Sequence, residues 1–172
     1  MIDEYIRKHG KRLYGLCLTL CANVQDAEDL YQDTWLKVLD SFSAYDPDRE
    51  FEPWLTQICV NTYRNGLRRL LRSPFLQFSS NESKDAAFAC VAAPERENYM
   101  DLYRAIDGLP GKLKITVILF YFRDLDVRST AEILKVPPGT VKSRLSKARK
   151  LLKEVLKDEK NLEETYKVLK ER

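Results

Sequence analysis

The sequence predicts an all-α protein of two small helical domains joined by a flexible linker, and three observations support this. Apolar residues recur at three- and four-residue steps along most of the chain, which is the period of an amphipathic helix. No stretch of useful length alternates apolar and polar residues as a half-buried strand does. Periodicity is lost at residues 73–94, a Ser- and Ala-rich segment bounded by two prolines. We therefore expect domains at residues 1–72 and 95–157, a linker at 73–94 and an extension at 158–172.

Length and composition limit the classes of protein that the chain can represent. It has 172 residues, 44% of them hydrophobic, and a formal net charge of +3. This length fits one ordinary domain or two small ones. There is no run of about 18 apolar residues that would insert into a membrane, and the N-terminus lacks the apolar core of a signal peptide. We expect a cytoplasmic protein.

The cysteines show neither a zinc-site spacing nor a disulfide framework. Cys17 and Cys21 are one helical turn apart, but no second pair accompanies them, and His9 is the only histidine. We expect the four cysteines to be small core residues, with no metal and no cofactor; they are Cys17, Cys21, Cys59 and Cys90.

The first domain contains two clear helical patterns. In the segment 23–40 Asn23 is placed to cap a helix, and one apolar stripe follows, formed by Ala27, Leu30, Tyr31, Thr34, Trp35 and Val38. A second helix is predicted from Pro53, a favoured first position, to about Leu71. It would carry inward Trp54, Leu55, Ile58 and Cys59. Asp46-Pro47 marks a turn in the ordered loop between the two helices.

The second domain has four predicted helices. Gly108 and Pro110 end the first, and Asp126 is a suitable cap for the third. The predicted ranges are Arg96 to Asp107, Lys112 to Phe122, Val127 to Leu134 and about Pro138 to Leu156.

The last two of these helices have the spacing of a helix–turn–helix. Ala131 lies where the helices would cross closely, and one stripe of the longer helix would face the core, with Val141, Leu145, Ala148 and Leu152. Between Lys142 and Lys153 there are six basic residues and no acid. Such a run can be a solvated face, but after a short helix and a turn it favours DNA binding.

An acidic face follows Asn23. Asp26, Asp29 and Asp33 share one side of the helix, beside Glu28 and Gln32. Acids near a helix start also stabilise its dipole, which is the simpler explanation. A face of one sign on an otherwise basic protein suggests instead a basic protein partner.

The segment from Phe51 to Arg72 combines aromatic and basic side chains. Asn61, Arg64 and Arg68 share one helical face, with Phe51 and Trp54 beside it. This combination suits single-stranded DNA, whose bases stack or flip into pockets. The alternative is that the aromatic residues belong to the core and the arginines are solvated, and for Trp54 a core role is favoured.

These features occur in the order found in bacterial sigma factors of the sigma-70 family. The chain resembles the extracytoplasmic-function branch over about Leu13 to Arg72 and Leu109 to Leu156. DAEDLYQDTWLKVL resembles the family's core-binding helix, and FSAYDPDREFEPWLTQICVNTYRNGLRR its promoter-melting region. LPGKLKITVILFYF and PPGTVKSRLSKAR resemble its second DNA-binding domain.

The resemblance implies a role for each set of residues. Docking on core RNA polymerase, at the clamp helices of its largest subunit, would use Asp26, Asp29, Leu30, Gln32 and Asp33. Binding the minus-ten element of promoter DNA would use the loop 43–50 and Phe51, Trp54, Asn61, Arg64 and Arg68. Reading the minus-thirty-five element as duplex would use Thr140, Lys142, Ser143, Arg144, Ser146 and Lys147. The resemblance also implies an anti-sigma partner, a linker directed towards the RNA exit path, and no catalysis by the chain itself.

Four positions depart from the family pattern. Lys135 stands where a turn glycine is usual, and Thr130 replaces a usual apolar residue. Asn65 occupies a common aspartate position, and Ser146 is often larger in relatives. These differences leave the promoter sequence open.

Two other classes of function remain. A stand-alone helix–turn–helix repressor or activator would use only the second domain for DNA and would bind duplex without polymerase. An enzyme is disfavoured, because the chain has one histidine, no Gly-rich phosphate loop and no metal cluster in its sequence.

Overall fold

The computed structural model describes residues 2–21, 23–72 and 100–156, and every regular element in these ranges is helical. The chain separates into two compact units, the described part of the first ending at residue 72 and that of the second beginning at residue 100. The all-α prediction is confirmed. The predicted linker, the start of the helix expected from Arg96, the C-terminal extension and Cys90 lie outside the described residues.

The first unit is a bundle of three helices: α1 (Ile2–Leu20), α2 (Val24–Ser41) and α3 (Phe51–Arg72). A short 3₁₀ turn, Phe42–Ala44, follows α2. Each helix packs against the other two, and the apolar side chains between them are removed from water, which is the main stabilising term for such a bundle. Among the most buried are Leu13, Leu18, Leu20, Val38 and Val60.

Helix α2 begins as the sequence predicts. The side-chain oxygen of Asn23 accepts a 2.8 Å hydrogen bond from the backbone N–H of Asp26 and so satisfies one of the donors left free in the first turn. The predicted apolar stripe is buried, apart from Tyr31, which is half-buried. The opposite side of α2 is therefore left to solvent.

Helix α3 begins two residues earlier than predicted. Phe51 is its first residue and is buried, and Pro53 is third, still within the turn whose N–H groups have no intrahelical acceptor. Leu55 and Cys59 are buried as predicted, whereas Trp54 and Ile58, expected inward, are only half-buried.

The three described cysteines behave as core residues. Cys17, Cys21 and Cys59 are buried, and the Sγ atoms of Cys17 and Cys59 are 3.8 Å apart across the α1–α3 interface. The contact with Cys59 and burial hold the pKa of the Cys17 thiol well above its usual value. Cys17 is thus kept as a neutral thiol.

Neither a metal cluster nor a membrane span emerges from the part of the chain that is described. No group of three His, Cys, Asp or Glu side chains in residues 2–21, 23–72 and 100–156 is placed to hold a metal ion. Across the same ranges, no helix combines the length and the apolar character needed to cross a bilayer.

The second unit consists of α4 (Met100–Asp107), α5 (Gly111–Val117), α6 (Val127–Leu134) and α7 (Pro138–Leu156). Helix α7 packs against all three of the others. The core helix predicted over Lys112–Phe122 is present, but its last five residues, Ile118–Phe122, wind as a wider π-helical turn. Lys114 is buried in α5, and its ammonium lies 2.8 Å from a carboxylate oxygen of Asp107.

Candidate functional site

The exposed side of α2 carries the predicted acidic residues. Asp26, Asp29, Gln32 and Asp33 are all exposed, because the apolar stripe turns the other side of the helix inward. Leu30, predicted to belong to the same docking set, is only 6% exposed and packs in the bundle core. Leu30 therefore positions the helix rather than offering a surface contact.

Two leucines that the sequence reasoning missed lie on the exposed side of α2. Leu36 is 58% exposed and Leu39 is 49% exposed. Leu36 follows Asp29 by seven residues and so shares its face, between Asp33 and Asp40. The sequence could have indicated that these leucines are exposed, since both fall outside the predicted apolar stripe. We call Asp29, Asp33, Leu36, Leu39 and Asp40 the docking face.

The polar surface of α3 keeps the predicted register. Asn61, Arg64 and Arg68 follow each other at three- and four-residue steps; the first two are half-exposed and Arg68 is exposed. The guanidinium of Arg68 lies 3.4 Å from the side-chain oxygen of Asn65. Trp54, half-buried at the start of the helix, leaves part of its ring accessible beside this surface.

Phe51 was predicted to contact DNA, but its side chain is buried. Its side chain is 6% exposed and is enclosed by other rings, with centroids of Tyr5 at 4.4 Å, His9 at 5.1 Å and Tyr45 at 5.3 Å. Tyr5 and His9 come from α1, so the enclosure depends on a contact that is distant in sequence. Phe51 supports the surface from below and offers no open stacking face.

The loop between α2 and α3 is ordered around the predicted turn. The backbone N–H of Arg49 donates to the carbonyl of Asp46 at 3.1 Å, and the N–H of Asp48 donates to the Asp46 carboxylate at 3.1 Å. Side chains 46–50 are all exposed. The loop thus presents a fixed backbone with its polar groups directed outward.

Helices α6 and α7 form the predicted helix–turn–helix. The core-facing stripe of α7 is confirmed, with Val141, Leu145, Ala148 and Leu152 buried. The other side presents short polar and cationic groups. Lys142, Ser143, Ser146 and Lys147 are exposed, and Thr140 and Arg144 are half-exposed. The Ser143 hydroxyl donates to the carbonyl of Thr140 at 3.0 Å.

The turn between these helices has a defined geometry. Asp126 caps α6 by accepting a 2.7 Å bond from the backbone N–H of Ser129, which holds the pKa of this carboxyl below its usual value. Lys135 ends α6 in the left-handed region at φ 53°. Its N–H bonds to Glu132 O, and the next N–H bonds to Ala131 O, which is the Schellman pattern normally closed by glycine. The sequence departure at Lys135 therefore falls on a strained position.

Thr130, the other departure in this motif, is fully buried in α6. Within the described part of the chain, its Oγ1 has no hydrogen-bond partner. Ala131 beside it is also buried, as the predicted close crossing requires.

Comparisons with known proteins agree with both units. The family model for Sigma-70 region 2 matches residues 5–73, and that for Sigma-70, region 4 matches residues 99–152. The chain is 33% identical over 159 residues to the ECF RNA polymerase sigma factor SigE of Mycolicibacterium smegmatis, a match that covers 90% of this chain and 61% of that relative. It is 30% identical over 150 residues to the RNA polymerase sigma factor SigV of Bacillus subtilis, with 86% of each chain covered.

A solved structure shares the fold. The sigma factor RpoE from Bartonella quintana, crystallised with the anti-sigma factor NepR, aligns with a TM-score of 0.72 at 22% identity, covering 92% of this chain and 98% of that one. Sequence and fold agree on one family. The chain belongs to the sigma-70 family of RNA polymerase sigma factors, in its extracytoplasmic-function branch.

Proposed function

We propose that the chain directs promoter-specific transcription initiation by binding core RNA polymerase through α2 and promoter DNA through α3 and α7. RNA synthesis itself is left to the polymerase. The observation that carries this proposal is the division of charge between elements: the exposed side of α2 is acidic and apolar, whereas the exposed side of α7 is basic. One face suits a protein and the other suits DNA.

Docking on core polymerase is assigned to the docking face. Asp29 and Asp33 would meet basic groups of the clamp helices, which steers association and sets orientation. Leu36 and Leu39 would supply the apolar anchors, because exposed large apolar side chains ringed by charge are typical of interaction sites. Asp26 and Gln32 extend the same surface towards the start of α2.

Capture of the minus-ten element is assigned to the loop 43–50 and the polar surface of α3. Trp54 leaves part of its ring accessible for a base, and Asn61 offers both a donor and an acceptor. Arg64 and Arg68 lie along the same face and would hold the backbone of the unpaired strand. Phe51 supports this surface through the aromatic cluster beneath it.

Reading of the minus-thirty-five element is assigned to the first half of α7. Short side chains at Ser143 and Ser146 let the helix approach base edges closely, while Lys142 and Lys147 reach bases or phosphates. Thr140 and Arg144 flank them, half-exposed. No acid lies between Pro138 and Lys153 to repel the DNA.

An anti-sigma partner is part of the proposal. The fold relative from Bartonella quintana was crystallised with such a protein, and the docking face offers a surface that an inhibitor would have to cover to block polymerase binding. We further propose that the chain works in the cytoplasm, with residues 1–72 and 95–157 as the two functional domains.

The proposal is tested by comparing promoter binding by the chain alone, core polymerase alone and the two together. The probe is a genomic fragment that the mixture transcribes, and binding is read by mobility shift with heparin challenge. We expect a heparin-resistant complex only with both proteins. Tight duplex binding by the chain alone, unchanged by core polymerase, would instead support a stand-alone helix–turn–helix regulator.

A further inference from the structure

Tyr45 connects the two ends of the loop between α2 and α3. Its hydroxyl donates a hydrogen bond to the backbone carbonyl of Arg49, four residues on. Its own N–H donates to the carbonyl of Phe42 at 3.2 Å. One residue therefore bonds both to the 3₁₀ turn that precedes the loop and to the last turn before α3.

The ring of Tyr45 is fixed as firmly as its hydroxyl. It packs with centroid distances of 4.8 Å to Trp54 and 5.3 Å to Phe51, both in the first turn of α3, and of 6.0 Å to Phe42. Such aromatic contacts add to the apolar burial of each ring. These ring contacts thus fix the position of the hydroxyl relative to the start of α3.

The Tyr45 hydroxyl can donate its hydrogen bond to Arg49 at neutral pH. Burial raises the pKa of Tyr45 above its usual value, and Tyr5 and Asp46 act in the same direction, so the group stays a donor. The Asp46–Arg49 ion pair at 3.4 Å also spans the turn, but it is exposed at both partners and contributes little. The backbone N–H groups of Asp48 and Arg49 close the turn on Asp46. These bonds lie within residues 46–49, whereas the hydroxyl and ring of Tyr45 connect that turn to the start of α3.

We infer that Tyr45 is a positioning residue, whose hydroxyl and ring hold the loop 43–50 in the form that captures unpaired promoter bases. The inference rests on the proposed role of this loop at the minus-ten element. It assigns to Tyr45 no contact with DNA: the exposed groups at 46–50 make the contacts, and Tyr45 fixes their spacing. A preorganised loop binds more tightly because less conformational freedom is lost on binding.

The test is the substitution Tyr45→Phe, which keeps the ring and removes the hydrogen bond to Arg49. Holoenzyme is assembled from core polymerase and the full chain, and its affinity is measured for two promoter fragments with a pre-melted bubble. One bubble carries the native minus-ten sequence and the other a scrambled one. We expect the preference for the native bubble to fall about three- to tenfold, the range for losing one net hydrogen bond, with affinity for the scrambled bubble unchanged.

Tyr5→Phe is the matched control. Tyr5 belongs to the same aromatic cluster, but its hydroxyl makes no hydrogen bond within the described residues, so this variant should keep the full preference. Core affinity should stay unchanged in both variants, and urea unfolding followed by tryptophan fluorescence should show that both remain folded under the binding conditions. A Tyr45→Phe holoenzyme that prefers the native bubble as strongly as wild type overturns the inference and leaves the proposed function intact. If the wild-type holoenzyme shows no preference for the native bubble, both the inference and the proposed function are overturned.

Discussion

Lys135 and Thr130 each lower the stability of the helix–turn–helix through a different physical cost. Lys135 holds a left-handed backbone conformation that brings a Cβ close to a carbonyl oxygen. Thr130 buries a hydroxyl that has no partner among the described residues. Both costs lie in the second unit, and both tryptophans lie in the first, so the two units can be followed separately during unfolding.

Replacing Lys135 with glycine should stabilise the second unit by about 1 kcal/mol, because glycine adopts the left-handed conformation without the Cβ penalty. Urea unfolding followed by far-UV circular dichroism measures the change. The tryptophan fluorescence transition of the first unit should stay in place. Lys135→Ala keeps the Cβ and should give no comparable gain; an equal gain with alanine would mean that loss of the lysine side chain, not relief of strain, is responsible.

Replacing Thr130 with valine should also stabilise the second unit, by about 1 kcal/mol, because the shape is kept and the unpaired hydroxyl is removed. Thr130→Ala is the control, since it removes the hydroxyl but also a buried methyl group. Urea unfolding followed by far-UV circular dichroism measures the stability of both variants. Destabilisation by valine would indicate that the hydroxyl has a partner in solution.

At the residue scale, local features were predictable and tertiary ones were not. The caps at Asn23 and Asp126 follow from residue type and from the periodicity that comes after them, and both are confirmed. The burial of Phe51 depends on Tyr5 and His9 of another helix, which no local pattern reveals. The role of Tyr45 was likewise not predictable, because its hydroxyl bonds to a backbone carbonyl, and every residue has such a carbonyl whatever the sequence.

At the scale of elements, α2 presents one face to the bundle and the opposite face to solvent. Its apolar stripe packs against α1 and α3, and this fixes the orientation of the acids and of Leu36. Because more than half of Leu36 is exposed, it contributes little to the core. The energetic role of Leu36 is therefore expected to appear only on binding.

Leu36→Ala should weaken binding to core polymerase about tenfold, the scale of a central apolar contact, with no loss of stability. Fluorescence anisotropy of the labelled chain titrated with core polymerase measures it. Val155→Ala is a matched control, because Val155 is 59% exposed on α7, in the other unit. Equal affinity of the Leu36 and Val155 variants would rule out the docking face as proposed.

Helix α7 likewise separates a core face from an exposed basic face. Lys142→Ala together with Lys147→Ala should weaken holoenzyme binding to a minus-thirty-five duplex and reduce the salt slope by about 2, one unit per lost phosphate contact. Lys112→Ala, an exposed lysine at the start of α5, should leave the slope nearly unchanged. A slope that is unaltered in the double variant would mean that these lysines do not meet DNA.

Element bounds were predicted well where a cap or a breaker marks them. The predicted bounds of α6 and α7 agree with the structure. Their starts were predictable because Asp126 and Pro138 are local start signals. The start of α3 was placed at Pro53 instead of Phe51 because proline is tolerated throughout the first turn. The π-helical turn at Ile118–Phe122 was not predictable, since a continuous apolar run carries no period.

At the scale of the whole molecule, we propose that promoter recognition is shared between the two units. The two proposed DNA-binding surfaces lie on separate units, and neither is expected to bind tightly alone. They would become selective when both are held on one polymerase. Binding of the docking face to core polymerase would make the two contacts simultaneous. Loss of any one surface should therefore cost promoter selectivity without abolishing the fold of either unit.

The most direct test is promoter-specific run-off transcription by sigma-free bacterial core polymerase on a genomic fragment library, with and without the purified chain. We expect discrete transcripts that require the chain and share two sequence elements upstream of their starts. The absence of specific transcripts, together with no binding to core polymerase, would contradict it.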